Sequence, residues 1–322
     1  LAAAFAANRV ERIFGVPGGG SSLDVIQAAA DIGIDFVLTR TESAAVMMAA
    51  ATAELTGGLG VALTTKGPGT ANAMNGMAYA RLDRSAVVLL TDGFSPNEQD
   101  YVTHQVFDQP AMLAPVTKAS SRLDSDAVAE ELRALIALAF APPVGPVHIE
   151  LTGAQVRAEV PAGNNFRVSR PEAKRDEPAI SRAQDILDGA TRPVLIVGLE
   201  AREAVAAPAV LELAEALACP VLTTYKAKGV VADSHPQYVG TFTSGSAEAE
   251  TVAQADVIVL CGLDPVELLR QPWRYDAPVI DIALLHHPIH YVTPTVGLYG
   301  PLEATIAQLN SSAWRTTWSS TE

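Results

Sequence analysis

Short apolar runs recur along the chain, and the segments between them carry apolar residues at helical spacing. Ile13–Val16, Phe36–Leu38, Val61–Thr65, Ala86–Leu90 and Val147–Leu151 have the length of buried strands. Helices are expected over Leu1–Asn8, Leu23–Ala30, the alanine- and methionine-rich run from Ala44, Ala71–Leu82 and Ala127–Ala141. Between the fourth run and the last helix, Asp92–Pro110 is polar, with little periodicity, and reads as a loop region. The alternation then restarts. Helices are expected over Ser181–Leu187, Ala204–Ala218, Ala247–Ala255 and Leu302–Leu309, with strands at Pro193–Gly198, Pro220–Thr224, Val257–Leu260 and Val279–Ile282. Strands alternating with helices in this way predict two doubly wound α/β domains with mainly parallel sheets. The expected boundaries are 1–155 for the first domain and 179–312 for the second. Residues 156–178, with Pro161, Gly163, Pro171 and Pro178, read as a linker, and 313–322 as the start of another.

Composition narrows the functional classes. The 322 residues are 49% hydrophobic and 18% charged, enough apolar material for two cores. The formal net charge of −14 opposes a nucleic-acid partner or an anionic membrane surface. No apolar run approaches the ~18 residues of a membrane span. The alanine-rich opening, Leu1–Ala7, lacks the basic flank of a signal peptide. Cys219 and Cys261 are far apart in apolar contexts and read as reduced core thiols, so a cytoplasmic location is expected.

Candidate chemistry lies in the loops that follow strands. Glu42 stands between the Phe36 strand and the Ala44 helix. Taken alone, it reads as a helix-start carboxylate favoured by the macrodipole. The sharper reading is a carboxyl at the ends of parallel strands, where open α/β sheets bind ligands. Pro17-Gly18-Gly19-Gly20-Ser21 allows close backbone approach, but its contiguous glycines do not form a dinucleotide fingerprint. In Lys66-Gly67-Pro68-Gly69-Thr70 the lysine precedes the glycines, so this is not a phosphate-binding P-loop. It reads equally as a sharp turn or as a turn presenting amide donors at a helix start. His104-Gln105 is expected on an exposed loop. His286-His287 with His290 is set aside as a metal cluster, because neighbouring strand residues face opposite sides and no acidic or cysteine partner follows at ligand spacing. Thr243–Ala247 lacks the first glycine of a nucleophile elbow. Neither half carries the fingerprint of a nicotinamide-dependent dehydrogenase.

Taken in order, the motifs resemble the thiamine-diphosphate enzymes of the acetolactate synthase and benzoylformate decarboxylase type. The resemblance rests on Phe14–Gly19, on Arg40-Thr41-Glu42 before an Ala/Met helix, and on Lys66–Gly69 with Asn72. It continues through Asp83, the strand to Thr91, Gln105 thirteen residues before Lys118, and Gly145–Leu151. In the second half it rests on Thr223–Gly229, His235-Pro236 and Ala255–Ile258. It implies a pyrimidine-binding domain followed by a central domain. Glu42 is then expected to activate the cofactor by bonding its aminopyrimidine ring nitrogen, and to be buried against Val46 and Met47, which favours a neutral carboxyl. Pro17, Gly18, Gly19, Gly20, Ser21, Gly67, Pro68, Gly69 and Asn72 are expected to border the cofactor, and Gln105 the substrate.

The chain departs from the pattern in three ways. Thr41 replaces a frequent His, and Lys66 a frequent Ser. Val197-Gly198-Leu199-Glu200 lacks the glycine run of flavin-binding members, so FAD is not expected. The Gly-Asp-Gly motif that holds Mg²⁺ and the diphosphate in a third domain does not occur, so this chain alone is expected to be inactive. The resemblance implies a 2-oxo acid decarboxylase or carboligase assembled as a homodimer or homotetramer. The alternatives are a non-catalytic binding or assembly module and one subunit of a split enzyme.

Overall fold

The computed structural model describes residues 1–159, 166–168, 175–267, 272–288, 292–309 and 314–319. The chain forms two compact units, Leu1–Ser169 and Arg170–Glu322. In the first, β1 (Arg12–Val16), β2 (Asp35–Leu38), β3 (Gly60–Thr64), β4 (Val87–Asp92), β5 (Ser120–Ser121) and β6 (Val147–Leu151) form one sheet in the order β2-β1-β3-β4-β6-β5. In the second, β7 (Pro193–Val197), β8 (Val221–Thr223), β9 (Tyr238–Thr241), β10 (Val257–Cys261), β11 (Val279–Ala283) and β12 (Val296–Tyr299) form another, ordered β12-β11-β10-β7-β8-β9. Every pairing in both sheets is parallel.

The continuous apolar runs follow from burial on both faces. Successive residues of a strand point to opposite sides, so Val61, Leu63, Val88 and Leu90 join one core layer while Ala62, Val87 and Leu89 join the other. In the second unit Leu195, Val197, Val259 and Ile280 pack on one side, and Val194, Ile196, Ile258 and Leu260 on the other. The strands absent from the hydrophobic pattern are β5, β9 and β12, all at sheet edges. An edge strand needs less apolar sequence. β9 carries Gly240 in the left-handed region and a register shift beside it, which obscures any alternation.

The polar stretch after β4 is more ordered than its composition suggests. It holds a short helix, Pro96–Gln99, closed by a Ser95–Glu98 capping box. A second helix, Gln109–Leu113, is capped by the Asp108 carboxylate. Of the expected linker, Phe166 and Val168 pack on the first core, and the Asn8 amide donates to the Phe166 carbonyl at 2.8 Å. Pro161, Gly163 and Pro171 lie outside the described residues. At the other end, 314–319 runs against the second unit. Trp314 is buried, its indole N–H bonded to Asp188 at 3.0 Å, and the Trp318 indole donates to the Pro193 carbonyl at 2.8 Å. Among the described residues no helix is long and apolar enough to cross a membrane.

Candidate functional site

Glu42 opens the helix Glu42–Thr56, directly after β2. Thr41, with extended backbone, caps that helix by accepting the Ala44 amide at 3.2 Å. The residue that departs from the family pattern therefore has a local task. A second helix, Pro68–Leu82, follows β3 and packs against the first. Their closeness depends on Gly76. A Cβ there would lie 2.6 Å from the Val46 Cβ and 2.7 Å from the Ser43 carbonyl oxygen, so only glycine lets the helices approach this far. One turn towards the N-terminus on each helix, the same contact row pairs Glu42 with Asn72. The Asn72 amide donates to Glu42 Oε2, and the Ser43 hydroxyl donates to the Asn72 carbonyl.

Glu42 is half-buried, a correction to the expected burial against Val46 and Met47. Val46 is fully buried because it turns inward to Gly76, and Met47 is half-exposed.

Gly67 has φ +59°, and a Cβ on it would strike the backbone of Gln105, whose carbonyl carbon would be 2.9 Å away. The Gly67–Gly69 turn and the Gln105 loop are thus in direct contact. Gln105 itself has φ +59° and an exposed side chain. Gly69 keeps the front of Glu42 clear: a Cβ there would sit 3.4 Å from Glu42 Oε1.

The group that fixes this turn is Gln109, which sequence reasoning did not single out. It is 4% exposed. Its amide oxygen accepts from the Gly67 N–H at 2.9 Å and from the Thr70 hydroxyl. Its amide nitrogen donates to the Asp92 carbonyl at 3.1 Å and to Glu150 Oε2 at 2.8 Å. The other Glu150 oxygen accepts from Arg122 Nε at 2.9 Å. The available signal was a lone amide near the end of the Asp92–Pro110 polar region, which no periodicity marks.

The Pro17–Ser21 loop is held by a different carboxylate. Asp92 Oδ1, at the end of β4, accepts from the Ser21 and Ser22 hydroxyls and from the Ser22 N–H at 2.9 Å. Ser21 is therefore buried and turned into the domain, its hydroxyl also reaching the Leu151 carbonyl. Gly18 lies where a Cβ would press on Asp92 Oδ2, a buried oxygen without a hydrogen-bond partner, and on Thr65. Thr65 in turn abuts Gly69. Gly19 and Gly20 face open space. The structure thus links Gly18, Thr65, Gly69, Glu42 and Asn72 in one chain of contacts, with Gly67 and Gln105 beside it.

Nearby charge is arranged simply. The Lys66 ammonium lies 4.5 Å from the centre of the Phe94 ring. His148 is wholly buried on β6, between Thr91 and Ser120, and burial pushes its pKa down to about 3, with Arg122 adding to the shift. It is a neutral core residue.

Together these groups place a half-buried carboxylate, oriented by an amide, in front of a glycine lacking a side chain. Comparisons with known proteins identify the family. The family model described as "Thiamine pyrophosphate enzyme, N-terminal TPP binding domain" matches residues 1–112, and "Thiamine pyrophosphate enzyme, central domain" matches residues 180–309. The chain belongs to the thiamine diphosphate enzyme family. Its two parallel α/β units are the pyrimidine-binding and central domains of that family. The acetolactate synthase of Bacillus subtilis is 29% identical over 314 residues, covering 94% of this chain and 55% of its own. The pyruvate oxidase of Lactiplantibacillus plantarum is 31% identical over 264 residues, 79% of this chain and 43% of its own. Human 2-hydroxyacyl-CoA lyase 1 is 29% identical over 328 residues, 99% of this chain and 56% of its own. The chain spans about half the length of these curated relatives.

Proposed function

We propose that this chain provides the pyrimidine-binding half of a thiamine-diphosphate site, and the central domain, of an enzyme that decarboxylates a 2-oxo acid or joins the resulting acyl group to an acceptor. The observation that carries the reading is the Glu42–Asn72 contact at the paired helix starts, with Gly69 in front of it. When bound, the cofactor supplies an electron sink for the substrate's carbonyl carbon. Glu42 would hold a proton against the aminopyrimidine ring nitrogen, and Asn72 would fix the rotamer of that carboxyl. Gly69 would leave room for the ring face, and the Gln105 side chain would border the substrate. Gln109 would keep the Gly67–Gly69 turn in register with both. Mg²⁺ and the diphosphate would be held by a further domain, and the working protein would be a homodimer or homotetramer.

Calorimetric titration of the full-length protein with thiamine diphosphate and Mg²⁺ separates this reading from a non-catalytic module, which would give no heat. Glu42→Gln should lower turnover about a hundredfold or more while the fold persists. Turnover unchanged in that variant would remove Glu42 from the mechanism.

We also propose that the central domain carries no flavin. In open α/β folds a dinucleotide's pyrophosphate sits at the turn after the first strand. Here the Leu199 N–H in that turn, after β7, donates to Glu267 Oε2 at 2.8 Å, and the Asp264 N–H donates to the same oxygen at 3.1 Å. An internal carboxylate thus takes the donors an anionic ligand would need. A Cβ on Gly198 would lie 2.8 Å from the Gly262 carbonyl carbon, so the turn is packed shut. Purified protein should show no flavin absorbance after incubation with FAD and desalting.

A further inference from the structure

The second unit brings together side chains from three separate loops at the C-terminal ends of its central strands. Glu200 follows β7, Asp264 follows β10, and His287 follows β11. All three are buried, and each offers a ligand-type atom within 4.8 Å of the others. His287 is the buried member of the His286-His287 pair, and His286 faces solvent beside the Tyr299 ring. The acidic partners missing around the histidines in sequence are supplied by distant segments.

A fourth group points to a ligand independently. Asp281, in the middle of β11, is 1% exposed, and neither of its oxygens has a hydrogen-bond partner of good geometry. Its carboxyl is close enough to Glu200 and His287 for their charges to act on it, with the Tyr299 hydroxyl alongside. The ligating side chains are also held in place. Glu200 Oε2 accepts the Leu284 N–H at 2.7 Å, and Asp264 Oδ1 accepts the Val266 N–H at 2.9 Å.

The geometry points to a divalent-cation site formed by Glu200, Asp264 and His287, with the Asp281 carboxyl outside the ligand set beside it. A divalent cation here would take the place of the imidazole proton in the Glu200–His287 pair and balance the carboxylates gathered around it. Glu200 Oε1 and His287 Nε2 are 3.3 Å apart. An ion about 2.1 Å from each would subtend about 104° there, near the tetrahedral value. Oxygen ligands with one imidazole favour Zn²⁺ or Mn²⁺ over Ca²⁺ or Mg²⁺. The site lies in the central domain and owes nothing to the thiamine-diphosphate reading of the first unit.

The test strips the chain with a chelator, without thiamine diphosphate, and equilibrates it with Zn²⁺ or Mn²⁺ before measuring bound metal by mass spectrometry and by calorimetry. One equivalent is expected, with a matching rise in the melting temperature of the second unit. His287→Gln should weaken binding about a hundredfold, and Asp281→Asn about tenfold. Saturable binding that neither variant changes would overturn the site. So would absence of binding to the unaltered chain at about 100 μM metal, a result that stands even if a variant fails to fold. Tighter binding of Mg²⁺ or Ca²⁺ than of Zn²⁺ and Mn²⁺ would overturn the assigned class.

Discussion

Gln109→Leu isolates the buried polar junction beneath the candidate site. Leucine nearly matches glutamine in volume, so packing is largely kept and four hydrogen bonds are lost. Their partners fare differently. The Thr70 hydroxyl can fall back on the Thr65 carbonyl, 3.2 Å away. The Gly67 N–H and Glu150 Oε2 lose a partner at 2.9 and 2.8 Å. Glu150 is 2% exposed, so water does not readily replace the amide. An orphaned buried donor costs about 1–3 kcal/mol, and an orphaned carboxylate oxygen lies at the upper end of that range. The sum is a loss of about 4–6 kcal/mol from the first unit. Urea unfolding followed by far-UV circular dichroism, with hydrogen exchange on β4 and β6 peptides to assign the transition, reads it directly. Exposed Gln99, bonded to the Phe94 carbonyl, is the control, and its change to Leu should cost under about 0.5 kcal/mol. A loss below about 1 kcal/mol at Gln109 would mean that the junction is not what holds the Gly67 turn.

Three further outcomes follow from the buried groups. His148 stays neutral in the fold with a pKa of about 3, whereas the unfolded chain takes up the proton near 6.5. The unfolded state therefore binds more protons between those values, and His148 makes stability fall as pH drops from about 6.5 towards 3, by up to about 3 kcal/mol at pH 4. His148→Gln should flatten urea-derived stability across that window, and an unchanged pH slope would contradict the assignment. Trp318→Ala removes an indole bonded to Pro193 and stacked under Arg192 at 4.0 Å, and should destabilise the second unit by about 2–3 kcal/mol in the same denaturation assay. Cys219 is fully buried, which pushes its thiol up to about 12, and Cys261 is likewise buried and shifted upward. Alkylation of both at pH 8 should proceed no faster than unfolding, as followed by intact mass.

The elements that were legible in the sequence are those whose burial is two-sided. β3, β4 and β6 are buried along their whole length, so their apolar runs could be read without knowledge of their neighbours. β9 and β12 face solvent in part and could not. The same division holds at the sites. Glu42, Gly67 and Gly69 sit where a strand meets a helix, a place that spacing alone can locate. Gln109 and Gly76 act by touching segments far away in sequence, and His287 meets Glu200 and Asp264 only through the sheet order. A chain read linearly shows which residues leave the strand ends but not which strand ends are adjacent.

This distinction bears on Glu42. The proposed role needs a carboxyl shielded from water, because a desolvated acid is the one that keeps its proton. The first unit positions the group through Thr41, Gly76 and Asn72 but leaves it half open. Gly69, Gly19 and Gly20 add no side chain to cover it. Placement and desolvation therefore have separate sources. Placement is built into two helix starts and one glycine contact, and it should survive in the isolated unit. On the proposed reading, desolvation would come from a cofactor ring laid against the carboxyl, or from a surface brought over it by assembly. Hydrogen exchange across Thr41–Met47 should accordingly be slowed by cofactor or by oligomerisation, and not by any substitution confined to the Val46–Gly76 row.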